Sequence, residues 1–144
     1  MMNSFLDIFG HSDIVIRGKH AKMMEEMKTT LSLKYIDIFI TALQLGLMDG
    51  KAVDYDMTEK NVVRITRPSL LRYEAKLNAV TEASLLYLCE GSDINEKANN
   101  YIEVLNSNKA IHRYREKLMR TILGGIEEFY TLVGSDIECD MKIN

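Results

Sequence analysis

Proline is almost missing from this chain. Its 144 residues include one, Pro68, where ordinary usage of ~5% would place about seven. Scarcity of the strongest helix breaker points to a mostly helical protein. Cysteine is scarce too: Cys89 and Cys139 are the only two, which excludes a disulfide scaffold. No apolar run reaches the ~18 residues that a membrane-spanning helix needs. The first residues, MMNSFLDIFGHSD, lack the basic and long apolar regions of a secretory signal. A dominant charge is absent as well. Eighteen basic and 21 acidic residues leave a net charge of −3, so the surface as a whole is not marked for polyanions. What is present is ordinary: 47% apolar and 27% charged residues, a globular composition rather than a disordered one. The expected address is cytoplasmic, with no membrane partner. Abundant Lys, Asn and Ile is the composition of a low-GC bacterium or its phage.

The chain then divides by periodicity. Phe5, Leu6, Ile8 and Phe9 suggest one amphipathic turn. Ile14-Val15-Ile16-Arg17 reads as a short strand ended by Gly18. A short helix follows over residues 20–28, with Ala21, Met24 and Met27 on one side. Ser32 is a suitable N-cap for a helix to about Met48, stopped by Gly50. Within it, Lys34, Asp37, Thr41 and Gln44 make one narrow polar stripe. A helix apolar over the rest of its circumference is buried over most of it, so Ile36, Phe39, Ile40 and Leu43 are expected to be core or interface.

Residues 51–67 have no helical period, and 61–66 suit a second strand pairing with the first. Pro68 sits well in the first turn of a helix, expected to run to about Glu90 with Gly91 as its stop. Ser92-Asp93 starts another, over residues 93–105, with Ile94, Ala98, Tyr101, Ile102 and Leu105 on its apolar face. Asn106-Ser107-Asn108 breaks it. The last helix, 109–133, turns Ile111, Tyr114, Leu118, Ile122, Ile126, Phe129, Tyr130 and Val133 inward, and Gly134 ends it. The expected fold is mainly α: one compact domain over residues 1–134, of four to five helices with at most a two-stranded β element. An acidic tail, 135–144, follows.

Chemistry is hard to find in this pattern. His11, His20 and His112 are far apart, and neither cysteine has a CxxC partner, so no zinc-ligand spacing exists. Asp54-Tyr55-Asp56 opens like a calcium loop, but Glu59 and Ile65 stand where such a loop needs Gly and the bidentate Glu. No catalytic pair, cofactor motif or metal set is expected. Gly124-Gly125, inside a strong helical pattern, points to close helix packing or a kink. It is not a phosphate loop, because GxxxxGK[ST] is absent. The one dense charge cluster is Lys109, Arg113, Arg115, Lys117 and Arg120 against Glu116. Arg113, Lys117 and Arg120 share one helical face. Such a stripe can neutralise phosphates, meet an acidic protein, or simply be solvated.

Residues 13–50 loosely resemble the ribbon-helix-helix family. The resemblance rests on Ile14-Val15-Ile16-Arg17, a short helix, Leu31-Ser32-Leu33 and the Ile36–Leu47 helix. In that family a strand from each of two chains pairs in the DNA major groove. The resemblance implies Val15 and Arg17 as base-facing positions, with Lys19 as the next basic group. The chain departs from the family pattern in its short first helix and its single basic strand residue, and only about a quarter of the chain is covered.

Two readings emerge. One is a non-enzymatic helical protein–protein interaction protein, a small subunit or homo-oligomer within a bacterial or phage assembly, contacting its partner through Arg113, Lys117 and Arg120. The other is a small DNA-binding regulator using Val15, Arg17 and Lys19.

Overall fold

The computed structural model describes residues 8–9, 12–49, 51–88 and 93–143. Phe5, Leu6, His11, Gly50, Cys89, Gly91 and Ser92, singled out from the sequence, lie outside the described residues. The elements run β1 (Ile14–Arg17), α1 (Lys19–Leu31), α2 (Tyr35–Asp49), β2 (Val62–Ile65), α3 (Arg67–Arg72), α4 (Glu74–Leu88), α5 (Ile94–Asn106) and α6 (Asn108–Ile143). The fold is mainly α, with β1 and β2 forming a two-stranded antiparallel sheet. Two compact units divide the chain. One contains Thr66–Met119 with the chain up to Ile14, and the other Val15–Ile65 with Arg120–Asn144.

The second unit holds the helix with the narrow polar stripe. Ile36, Ile38, Phe39, Ile40, Ala42, Leu43 and Gly46 of α2 are buried, while Lys34 and Gln44 of the stripe are exposed. Phe39, Ile38 and Leu43 have no measurable exposure, so this chain itself covers the face that the sequence left open to core or interface. The helix starts later than expected, at Tyr35. Ser32 does not cap it. With φ 55° Ser32 instead closes α1 in the left-handed region, the conformation in which helices commonly end. The start of α2 is bonded by the Lys34 carbonyl, which accepts from Asp37 and Ile38 N–H. The axes of α1 and α2 meet at a bend of 114°, and Lys28 lies 4.3 Å over the Tyr35 ring across that turn.

α1 is longer than its clearest apolar spacing suggested, and it packs on α2 and β2. Its buried face is His20, Ala21, Met24 and Met27. In the sheet, Ile16, Val63 and Ile65 are buried, whereas Arg17, Val62 and Arg64 are exposed, the alternation a strand with one covered face requires.

Glycines set the packing of α6. A Cβ on Gly125 would collide with the Ala42 carbonyl, and one on Gly46 with the Thr121 carbonyl. The α2 and α6 backbones therefore meet closely, with the Thr121 methyl beside Gly46. Gly124 likewise accommodates the Lys51 carbonyl. The tandem glycines serve close packing, as the absence of a phosphate-loop context implied. Ile122, Leu123, Ile126 and Val133 are buried, but Tyr130 is exposed rather than inward, and Phe129 is half-buried. The helix does not stop at Gly134 and continues to Ile143. One glycine inside a helix costs only ~1 kcal/mol, too little to end it.

In the first unit, Thr66 caps α3 by accepting from Ser69 N–H, with Pro68 in the first turn as expected. Asp13 accepts from the Arg67 N–H at 2.8 Å. The helix expected to continue to Glu90 is broken at Tyr73, whose φ −108° and ψ 18° leave the helical region. Tyr73 N–H bonds back to Ser69 and Leu70, while its carbonyl accepts from Leu77. The backbone thus loses little in bonding at the break, and apolar spacing alone did not mark it. Asp93 caps α5 by accepting from Glu96 N–H at 2.9 Å. Ser107, with φ −125° and ψ 119°, makes the expected break before α6. Ile111, Tyr114 and Leu118 are buried, and Arg115 donates to the Ile8 carbonyl.

Phe39→Ala should lower stability in urea titrations by ~3–5 kcal/mol, because α2 is covered by its own chain. Gly125→Ala should cost about 3 kcal/mol despite alanine's better helix propensity, because the new Cβ must push two backbones apart. Equal stability of the glycine and alanine proteins in urea titrations would contradict the close crossing.

Candidate functional site

The residues singled out from the sequence fall in separate places. Arg113 and Lys117 are exposed on the part of α6 within the first unit, and Arg120 is exposed on the part within the second. Buried Ile111, Tyr114 and Leu118 account for the outward turn of Arg113 and Lys117. Arg120 lies 3.6 Å from Asp54, an exposed pair. On β1, Val15 is half-buried and Arg17 exposed. Lys19 lies at the start of α1, 3.8 Å from Asp56.

A polar cluster missed by sequence reasoning lies in the second unit. His20 is fully buried, carried inward because it shares a helical face with Ala21, Met24 and Met27. Its Nε2 lies 2.9 Å from Glu127 Oε2. The other carboxylate oxygen, Oε1, lies 3.6 Å from Lys51 Nζ. One carboxylate on α6 therefore joins α1 to the segment that follows α2. Burial by itself would raise the Glu127 pKa. The His20 hydrogen bond and the charges of Lys19 and Lys51 outweigh it and hold the carboxyl below its ordinary value. An ionised carboxylate only accepts, so the shared hydrogen resides on Nε2. Nδ1 is then the remaining polar atom of the ring, buried and without a hydrogen-bond partner.

Nearby contacts reinforce this join. Asp56 is held below the ordinary carboxylate range, first by its side-chain and backbone hydrogen bonds from Thr58, then by the Lys19 charge. Tyr130 donates to Glu26, and that bond raises the phenol pKa, with help from burial and from the Glu26 charge. Asn61 donates to Glu25 at 2.7 Å. An open cleft of about 320 Å³ beside α1 is lined by Glu25, Glu26, Thr29 and Thr30. Its lining includes no imidazole or thiol, and both carboxylates already accept hydrogen bonds.

What this arrangement can do in its closed form is structural. An imidazole that donates from Nε2 to a carboxylate has Nδ1 as a hydrogen-bond acceptor, but solvent does not reach it. Among the described residues, no group of three or more His, Cys, Asp or Glu side chains could hold a metal ion. No single helix among them is long and apolar enough to cross a membrane. Helical spacing from Ala21, Met24 and Met27 could have placed His20 inside. Nothing local marks Glu127 as its partner, 107 positions away. Compared with protein-family models, curated proteins and solved structures, the chain matches none.

The depressed Glu127 pKa fixes the sign of a pH effect. Its stabilising contribution is complete above the ordinary glutamate value of ~4.3 and disappears as pH falls through the lower folded value. Glu127→Gln should therefore have a lower urea midpoint than wild type at pH 7, and the gap should close toward pH 3. A gap of constant size across that range would show that the carboxylate charge contributes nothing.

Proposed function

We propose that this chain is a non-enzymatic helical interaction protein, a small subunit or homo-oligomer of a larger bacterial or phage assembly. The observation that carries the reading is the outer face of α5. Ile94 is 70% exposed and Ile102 55% exposed, although both belong to the apolar positions of an amphipathic helix. Leu71 of α3, in the same unit, is also exposed. Contiguous exposed apolar surface marks protein contacts, and these side chains supply the apolar groups from which such a surface is built. Charged residues at a contact give it orientation and specificity more than affinity, and Arg113 and Lys117 are exposed in the same unit.

The alternative, a small DNA-binding regulator, draws on the order β1–α1–α2 and on the exposed Arg17. It is weakened by Lys19, which is engaged with Asp56, and by β1, which pairs with β2 of its own chain. A DNA or heparin column separates the two readings. Retention that falls steeply with salt belongs to phosphate contacts.

Mass measured by light scattering over a range of concentrations should exceed that of the monomer, or copurification should yield a protein partner. Ile94→Asp with Ile102→Asp should abolish that association while leaving the far-ultraviolet circular dichroism intact. Arg113→Glu with Lys117→Glu should change fold stability by no more than about 0.5 kcal/mol per exposed site and weaken partner binding. Association untouched by both double variants would sink the reading.

A further inference from the structure

The segment 51–61, between α2 and β2, contains neither helix nor strand, yet it is tied down along its length. Lys51 lies 3.6 Å from Glu127. Val53 N–H donates to the Arg120 carbonyl at 3.2 Å. Asp54 meets Arg120 at 3.6 Å, Asp56 meets Lys19 at 3.8 Å, and Glu59 meets Lys22 at 3.5 Å. The Asn61 carbonyl accepts from Gly18 N–H at 3.0 Å. Gly18 has φ +79°, and a Cβ there would collide with the Asp56 carbonyl. These ties bracket His20 on its own helix, at Gly18, Lys19 and Lys22, and reach its partner Glu127.

The means of attachment are unlike those of the core. Tyr55 and Met57 of this segment are exposed, and besides the backbone bonds at Val53 and Asn61 the segment is held by charge pairs on the surface. Such pairs are individually weak and are screened by salt. Through Glu127 the Lys51 end of the segment is linked to a fully buried imidazole whose Nδ1 has no hydrogen-bond partner. A buried polar atom in that condition carries a desolvation penalty, which water relieves on reaching it.

We propose that residues 51–61 form a salt-sensitive strap over His20, and that its opening presents Nδ1 of a carboxylate-oriented imidazole to solvent. The opened site accepts a hydrogen bond from a small polar donor, water being the simplest. Glu127 keeps the ring oriented through Nε2 as this happens. The strap and the apolar face of α5 involve different residues in different compact units, so either can exist without the other.

Diethyl pyrocarbonate, which modifies accessible imidazole nitrogens, tests this with peptide mass spectrometry as the readout. His112 is exposed and serves as the internal standard. In low salt His20 should react far more slowly than His112. Near 1 M NaCl, where the screening length is ~3 Å, the His20 rate relative to His112 should rise about tenfold, equivalent to ~1.4 kcal/mol. Asp56→Asn with Glu59→Gln should give a similar rise in low salt. A wild-type His20 that reacts as fast as His112 in low salt is not covered, and the proposal fails. It fails equally if His20 stays protected in high salt and in the double variant. A rise that merely follows global unfolding, read from urea midpoints under the same conditions, would also overturn it.

Discussion

The second unit depends on two helix backbones touching. Gly46 and Gly125 let the α2 and α6 backbones approach where any Cβ of their own would collide, and that proximity sets the depth at which the flanking residues interlock. Phe39, Leu43, Ile122 and Ile126 reach negligible exposure around it. Interiors are packed as densely as organic crystals, so a single added methyl group at the crossing has no slack to occupy. The helix-propensity penalty of ~1 kcal/mol per glycine is small beside the burial it permits.

Glu127 lies on α6 a half-turn beyond that crossing and converts packing into orientation. An apolar contact tolerates rotation of one helix against another, whereas a carboxylate with separate partners on its two oxygens does not. His20 fixes one oxygen and Lys51 the other. The unpartnered Nδ1 is the residual cost of enclosing an imidazole among apolar residues. Buried polar atoms without partners are uncommon in folded proteins, which makes this ring the least settled polar group of the second unit's interior.

Much of the architecture was legible because it is periodic. The narrow stripe of Lys34, Asp37, Thr41 and Gln44 specified the buried face of α2 through spacing alone. Pro68 and Asn106-Ser107-Asn108 mark a helix start and a break through backbone chemistry that each residue carries alone. The departures occur where local signals are ambiguous. A serine can cap the helix after it or close the one before it, and Ser32 does the latter. Tyr73 interrupts a helix without a glycine or proline to announce it, since neighbouring carbonyls still satisfy its N–H. Gly134 is passed over, because one glycine is a weak stop against a long helical run. The His20–Glu127 pair was illegible for another reason. Each half is unremarkable in its own helix, and only the tertiary fold brings them together. The exposure of Ile94 and Ile102 was likewise hidden, since an amphipathic pattern reveals which face is apolar but not whether anything covers it.

The second unit is assembled from Val15–Ile65 and Arg120–Asn144, and this has a consequence for biosynthesis. Chains emerge from the ribosome N-terminus first, at about 5–20 residues per second. α1, α2 and both strands leave the exit tunnel well before the glycines that α2 must meet. For that interval the apolar circumference of α2 has no α6 to cover it. The nascent chain must hold Ile36, Phe39, Ile40 and Leu43 out of misassociation, either by transient collapse or with a chaperone's help. Ribosome-stalled chains in which Arg120–Val133 have not left the exit tunnel are the species in which that hazard is greatest, and those in which these residues have emerged are the first that can bury it.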